Sequence, residues 1–250
     1  MTILSRLSVV LVTLATATSL VAQEGVPDLE KRGDDLYSRR DRPGNAEATV
    51  QAYQKALALD PSRSQNYWKL ARTYFWIAMQ QKGKAAESTF REAIDYAKLC
   101  VQTNDADPGC HFWLGASYGK YGENRGVFQS LYLVPFVMQE MERVIELDRT
   151  FESAGADLAL GRMFYLIPES MPGAVKGDKN KAVMHLRKAV EIAPHNVLAR
   201  LWLGEALASR GEREEAKKHL QQVLDEPEPR NPVPEEKRAK ESATAILKGL

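Results

Sequence analysis

Two arginines stand directly after a leucine and a small residue, in Leu70-Ala71-Arg72 and Leu160-Gly161-Arg162. Each is followed within a helical turn by aromatics, Phe75 and Trp76 after the first and Phe164 and Tyr165 after the second. Side chains three or four positions apart share one face of a helix, so each guanidinium has a ring within reach. A guanidinium grips a carboxylate through two parallel N–H donors and also stacks on aromatic faces. The chemistry on offer is therefore recognition of an acidic group. Bond-breaking machinery is not legible: there is no Walker A run, no His-Glu-x-x-His and no Gly-x-Ser-x-Gly elbow. Of the four histidines, His111 reads as an inward-packing helix residue and His185 as a solvated one among lysines and arginines, so neither is expected to be catalytic. Cys100 and Cys110 are the only cysteines. They could close one disulfide in an oxidising compartment or remain packed thiols, and two cysteines do not make a zinc site unaided. No metal and no cofactor is expected.

What must position these residues is a repeat. Four segments superpose on a small-residue anchor: Tyr67 to Tyr74, His111 to Tyr118, Asp157 to Phe164 and Arg200 to Leu207, each reading Leu-Gly/Ala followed by an aromatic or leucine three residues later. A weaker copy, Leu29 to Leu36 with Gly33 at the anchor, opens the series. After each anchor comes a second periodic segment, as in Tyr53 and Ala56, Ala86-Phe90-Ala93, Ala182-Leu186-Ala189 and Ala216-Leu220-Val223. Spacings of three and four put these side chains on one helix face, the small ones letting a partner helix approach. Asp60-Pro61 and Ala193-Pro194 end two such segments, because proline has no N–H to continue the ladder. No segment shows the period-two alternation of a half-buried strand. The pattern predicts an all-α protein, an α-solenoid of about five helix pairs, with a C-terminal capping helix from about residue 235 after the Pro-rich stretch from Glu226 to Pro232.

This resembles the tetratricopeptide repeat, with its Leu-Gly-x-x-Tyr first helix, its Ala-x-x-x-Phe-x-x-Ala second helix and its terminal proline. A plain repeat has about 34 residues, whereas the anchors here lie about 38 to 46 residues apart. The excess falls in two insertions rich in Gly and Pro, Lys120 to Phe128 and Pro168 to Asp178, which read as loops or broken helix ends. The resemblance implies that the first helix of each pair lines a concave surface. Counted along those helices, that surface would carry Trp68, Arg72, Phe75, Trp76, Phe112, Lys120, Arg162 and Tyr165. Such a lining suits an acidic peptide or a small organic acid. The alternative is that the tryptophans Trp68, Trp76, Trp113 and Trp202 are inter-helix packing and that the arginines bridge to acids in the next unit.

A closer resemblance rests on Leu160-Gly161-Arg162, Phe164-Tyr165, Pro168, Gly177-Asp178, Lys181-Ala182 and Ala189, preceded by Trp113-Leu114-Gly115 and Tyr121-Gly122-Glu123. These are similar to the T-component family of tripartite ATP-independent periplasmic (TRAP) transporters. The resemblance implies an envelope repeat protein that partners a periplasmic solute-binding protein and assembles into a homo-oligomer with ligand-accessible pores. A general envelope-assembly scaffold is the alternative function, and an enzyme using the inserted loops as a lid is a second.

The beginning of the chain differs from the rest. Arg6 precedes an uncharged run from Leu7 to Ala22, about 16 residues and short of the roughly 20 that span a bilayer. A short apolar run ending in small residues reads as a secretory signal over residues 1–22, leaving 23–250 as the repeat array, with an uncleaved anchor as the alternative. No cysteine near this end offers a lipid attachment point. A periplasmic or secreted protein without stable membrane insertion is expected. With 34 Lys and Arg against 33 Asp and Glu, the formal charge of +1 provides no long-range attraction for nucleic acid, which is not expected as a partner.

Overall fold

A computed structural model describes residues 24–170, 176–227 and 234–250 of the chain. The apolar run read as a secretory signal lies outside these residues. The described chain forms five helix pairs in succession: α1 (Val26–Tyr37) with α2 (Asn45–Leu59), and α3 (Ser64–Met79) with α4 (Gly83–Thr103). In the third, α5 (Pro108–Arg125) pairs with α7 (Val134–Asp148), separated by the short α6 (Val127–Ser130) and a 3-10 turn, Leu131–Leu133. The fourth is α8 (Phe151–Leu166) with α9 (Lys179–Ile192), and the fifth α10 (Val197–Ser209) with α11 (Arg213–Asp225). After α12 (Pro234–Lys237), α13 (Ala239–Gly249) packs on α11 and α10 and covers their apolar ends with Ala239 and Ala243. Among the described residues there is no strand, and no helix is long and apolar enough to cross a membrane.

Local chemistry starts three of these helices. Asp107 accepts the Gly109 N–H just ahead of Pro108, Asp178 accepts from Asn180 and Lys181, and Asn196 accepts from Leu198 and Ala199. Each oxygen satisfies an N–H that has no carbonyl partner one turn back. The anchor residues explain why paired helices lie so close. A Cβ at Gly161 would sit 2.6 Å from Leu186 Cγ, and one at Gly204 2.6 Å from Leu220 Cγ, so only glycine admits the facing leucine. The second helix of the pair therefore presses its apolar stripe directly onto the backbone of the first.

Burial then runs as a continuous seam along the array. Phe90, Ile94, Trp113 and Leu114 fill the space between α3, α4 and α5; Met141, Val144, Leu160 and Phe164 fill the next; Leu186, Leu203, Leu207 and Leu220 follow. A disulfide joins Cys100 of α4 to Cys110 of α5 with Cα atoms 5.2 Å apart, and both cysteines are fully buried. It fixes the turn between the second and third units.

The insertions take two forms. In the third unit, Lys120 to Arg125 simply prolongs α5, and the chain breaks only at Gly126, whose φ of 97° is disfavoured for a residue with a side chain. In the fourth, the described residues of Pro168 to Asp178 have no regular structure.

Candidate functional site

Trp68, Arg72 and Trp76 lie four residues apart on α3 and so share a face. The Arg72 guanidinium sits 3.8 Å from the ring centroid of Tyr37, at the end of α1, and 5.1 Å from that of Trp68. Arg40, in the turn after α1, is 4.4 Å from the same Tyr37 ring and 4.5 Å from Trp76, and donates to the Tyr37 carbonyl at 3.2 Å. Two cations thus share one aromatic surface, an arrangement that concentrates positive charge.

The opposite wall comes from α8. Phe151 meets Trp68 edge-on at 6.1 Å and Phe112 of α5 at 5.6 Å, so the fourth unit reaches across the concave side to the second and third. The next residue, Glu152, feels the charges of Arg72 and Arg40. Its pKa is nevertheless raised, because surrounding protein disfavours the carboxylate more than the two arginines favour it. Glu152 also retains solvent-accessible surface. Tyr37 is raised by burial in the same place, again against the pull of Arg72 and Arg40.

Glu152 is held there by an unusual backbone. Glu152, Ser153 and Ala154 have φ of 48°, 57° and 62°, three successive left-handed residues with no glycine among them. Each costs about 1–2 kcal/mol relative to the right-handed form, so the turn persists only because its surroundings enforce it. The brace is visible. Arg149, before the turn, donates from Nε and an Nη to both oxygens of Asp157, after it, at 2.8 and 2.9 Å. Asp157 is fully buried and also meets His185 Nδ1 at 2.8 Å. Burial alone would raise the Asp157 pKa, but hydrogen bonds from His185 and Arg149 outweigh it and keep the carboxylate ionised. His185 is therefore not the solvated residue expected from its basic neighbours: it is half-buried, stacked on Phe164 and bonded to Asp157.

The other expected lining residues divide. Phe112 stands beside Phe151 on the groove wall. Phe75 packs edge-on against Phe90 and Trp113 in the core between α3, α4 and α5. Lys120 reaches Glu123 at 2.8 Å, one turn on along α5. Arg162 donates to Glu205 of the next unit at 2.6 Å and lies 5.0 Å from Trp202 and 5.5 Å from Tyr165. Arg162 thus makes the inter-unit bridge that was the alternative reading for both arginines. Arg72 has no carboxylate within 4 Å among the described residues, and its buried Nε has no hydrogen-bond partner there. The reason lies in the repeat: the position after the anchor is Glu205 in the unit following Arg162, and Ala116 in the unit following Arg72. Reading sequence by unit missed Tyr37, Arg40 and Glu152, since two precede the repeat's strong copies and the third depends on the left-handed turn.

Among the described residues no group of three His, Cys, Asp or Glu could hold a metal ion. His111 meets Glu140 of α7 at 2.6 Å and the Asp105 carbonyl at 2.8 Å, a tie between α5 and α7 behind the groove wall.

Solved structures of similar shape are tetratricopeptide-repeat proteins and others. A thermophilic TPR protein of Thermus thermophilus matches with a TM-score of 0.63 at 17% identity, covering 90% of this chain and 100% of that one. MamA of Desulfovibrio magneticus matches with a TM-score of 0.51 at 14% identity, over 79% of this chain and 94% of that one. Yeast Tom70 matches with a TM-score of 0.55 at 16% identity, over 90% of this chain and 40% of that one. At such identities the likeness establishes the fold alone. No curated protein matches the sequence. The TRAP transporter T-component family matches residues 44–244, and with the repeat architecture in place the chain belongs to that family.

Proposed function

We propose that the chain is a non-catalytic binding accessory of TRAP-type solute uptake, working on the periplasmic side, whose concave groove engages an acidic group. That group belongs to a solute-binding protein or to a small organic acid. The reading is carried by Arg72, a guanidinium stacked on Tyr37 and Trp68 with no carboxylate within 4 Å among the described residues. The rings leave the guanidinium charge without an ionic partner, which an incoming carboxylate would supply. Family membership and the repeat fold support an accessory role, since repeat arrays of this type present extended concave surfaces to partners.

The test is a calorimetric titration of the cognate solute-binding protein into the exported chain. Saturable binding that weakens on Arg72→Gln, with helical content unchanged, supports the reading. Absence of binding by the wild type, together with unimpaired uptake in a strain lacking this chain, overturns it.

A further inference from the structure

The insertion of the third unit builds a cleft that shares no residue with the surroundings of Arg72. Beyond Gly126 the chain packs back on α5, and Ser130 Oγ fixes the return by meeting the Gly122 and Gly126 carbonyls at 2.7 and 2.9 Å. Between α4, α5, the 3-10 turn and the start of α7 this leaves a cleft of about 340 Å³. Buried Ile94 and Leu133 form its floor. Tyr121 stands at the rear, its hydroxyl held by Arg91 Nε at 3.2 Å and by an Nη of Arg125 at 3.0 Å. The remaining wall is aromatic: Tyr118 and Phe136 lie 5.9 Å apart at 34°, beside Tyr132. Tyr132 and Phe136 are 59% and 50% exposed, so two large rings on one cleft have faces that the fold leaves uncovered.

The polar groups of the cleft are balanced in charge and unused. Asp95 and Lys98, three residues apart on α4, both line it, and neither has an ion pair or hydrogen bond among the described residues. The Lys98 ammonium lies 5.9 Å from the Tyr118 ring centroid. Arg91, one turn before Asp95, is already committed to Glu87 at 2.7 Å. The capacity left open is one anionic acceptor and one cationic donor beside apolar ring faces.

We propose that this cleft is a binding site for a neutral saccharide, one pyranose ring lying on Tyr132 and Phe136 with its hydroxyls shared between Asp95 and Lys98. An anionic ligand would match Lys98 but meet Asp95, and a cationic one would do the reverse. Asp95 and Lys98 are both exposed, where ion pairing with a ligand adds little. A hydroxyl both donates and accepts, so two adjacent ones satisfy the acid and the ammonium together without bringing net charge. The C–H face of a pyranose is apolar and weakly positive, which suits the negative face of an aromatic ring. The volume is at the low end of the roughly 300–1,000 Å³ of small-molecule sites, room for one sugar ring with the next unit in solvent. The inference is independent of the acid-binding groove.

The experiment is saturation-transfer NMR with titration on the full chain, using cellobiose, lactose and maltose as probes and glycerol as a polyol without a ring face. At least one disaccharide is expected to bind saturably with a Kd in the millimolar range or tighter, and glycerol not to bind. Tyr132→Ala, at an exposed position, should weaken that binding about three- to tenfold. Asp95→Asn and Lys98→Gln should each weaken it, and Arg72→Gln should leave it unchanged. Binding of none of the three disaccharides, glycerol binding as well as they do, or affinity unaltered by Tyr132→Ala would overturn the site. Loss of disaccharide binding in Arg72→Gln would also overturn it, by placing the sugar in the groove, whereas failure of the solute-binding protein titration bears only on the groove.

Discussion

Arg72 and Arg162 occupy the same repeat position, two units apart, and have opposite fates. In the C-terminal half, Arg162 is paired with Glu205 at 2.6 Å, and Trp202 and Tyr165 pack around the pair. In the N-terminal half, the position that would hold the acid is Ala116, and Arg72 turns instead to the rings of Tyr37 and Trp68. One guanidinium holds two units together; the other rests on aromatic rings with no carboxylate within 4 Å among the described residues. Repeat proteins place equivalent positions on one surface, but equivalence of place is not equivalence of role. The next unit decides whether a given arginine is structural or open to a ligand.

The comparison can be broken most severely at the brace behind Glu152. Asp157→Ala removes the buried acceptor of Arg149 and His185 and should destabilise the fold by about 3 kcal/mol, the low end for a broken buried pair because Arg149 can return to water. Urea unfolding measures this. Next in size is the disulfide, which fixes the second unit against the third. Its closed loop is short, so replacing Cys100 and Cys110 by Ser should cost about 2–3 kcal/mol, read as a lowered urea midpoint.

The C-terminal arginine offers a smaller and more discriminating effect. Arg162→Gln should lower stability by about 1 kcal/mol, because its bridge to Glu205 is a single half-buried ion pair. Arg72→Gln gives up stacking on Tyr37 and Trp68 in place of an ion pair, and should likewise lower stability by no more than about 1 kcal/mol. Smallest is a pH effect behind the groove wall. Burial alone would lower the His111 pKa, but its bonds to Glu140 and the Asp105 carbonyl raise it above the ordinary 6.5. A raised folded-state pKa means stabilisation that is full below the unfolded value and is lost as pH rises through the folded value. The wild type should therefore lose stability from mildly acid to alkaline pH by more than His111→Gln does, measured by urea titration at each pH.

Much of the fold was legible because its determinants are local and repeat: small anchors, facing Ala and Leu stripes, and the prolines that end helices. The site was less so. Trp68, Arg72 and Trp76 could be placed on one face by spacing alone, yet the same counting put Phe75 in the groove, where the rotation of α3 turns it toward Phe90 and Trp113 instead. The difference between Arg72 and Arg162 was written at Ala116 and Glu205, but it emerges only when a residue in one unit is asked for its partner in the next. Glu152 had no local signal at all. Its position follows from three left-handed residues that no propensity favours and from a clamp between Arg149, Asp157 and His185, one partner of which lies on a different helix. His185 looked solvated for the same reason: the buried carboxylate that draws it in belongs to α8.

The central claim is that the two equivalent arginines are functionally unequal. It is tested most directly by titrating a TRAP-type solute-binding protein into Arg72→Gln and Arg162→Gln side by side, with urea unfolding of both. The account predicts at least about tenfold weaker binding for Arg72→Gln and near-wild-type binding for Arg162→Gln, with both variants folded. Equal losses of binding in the two variants, or a loss confined to Arg162→Gln, would contradict it.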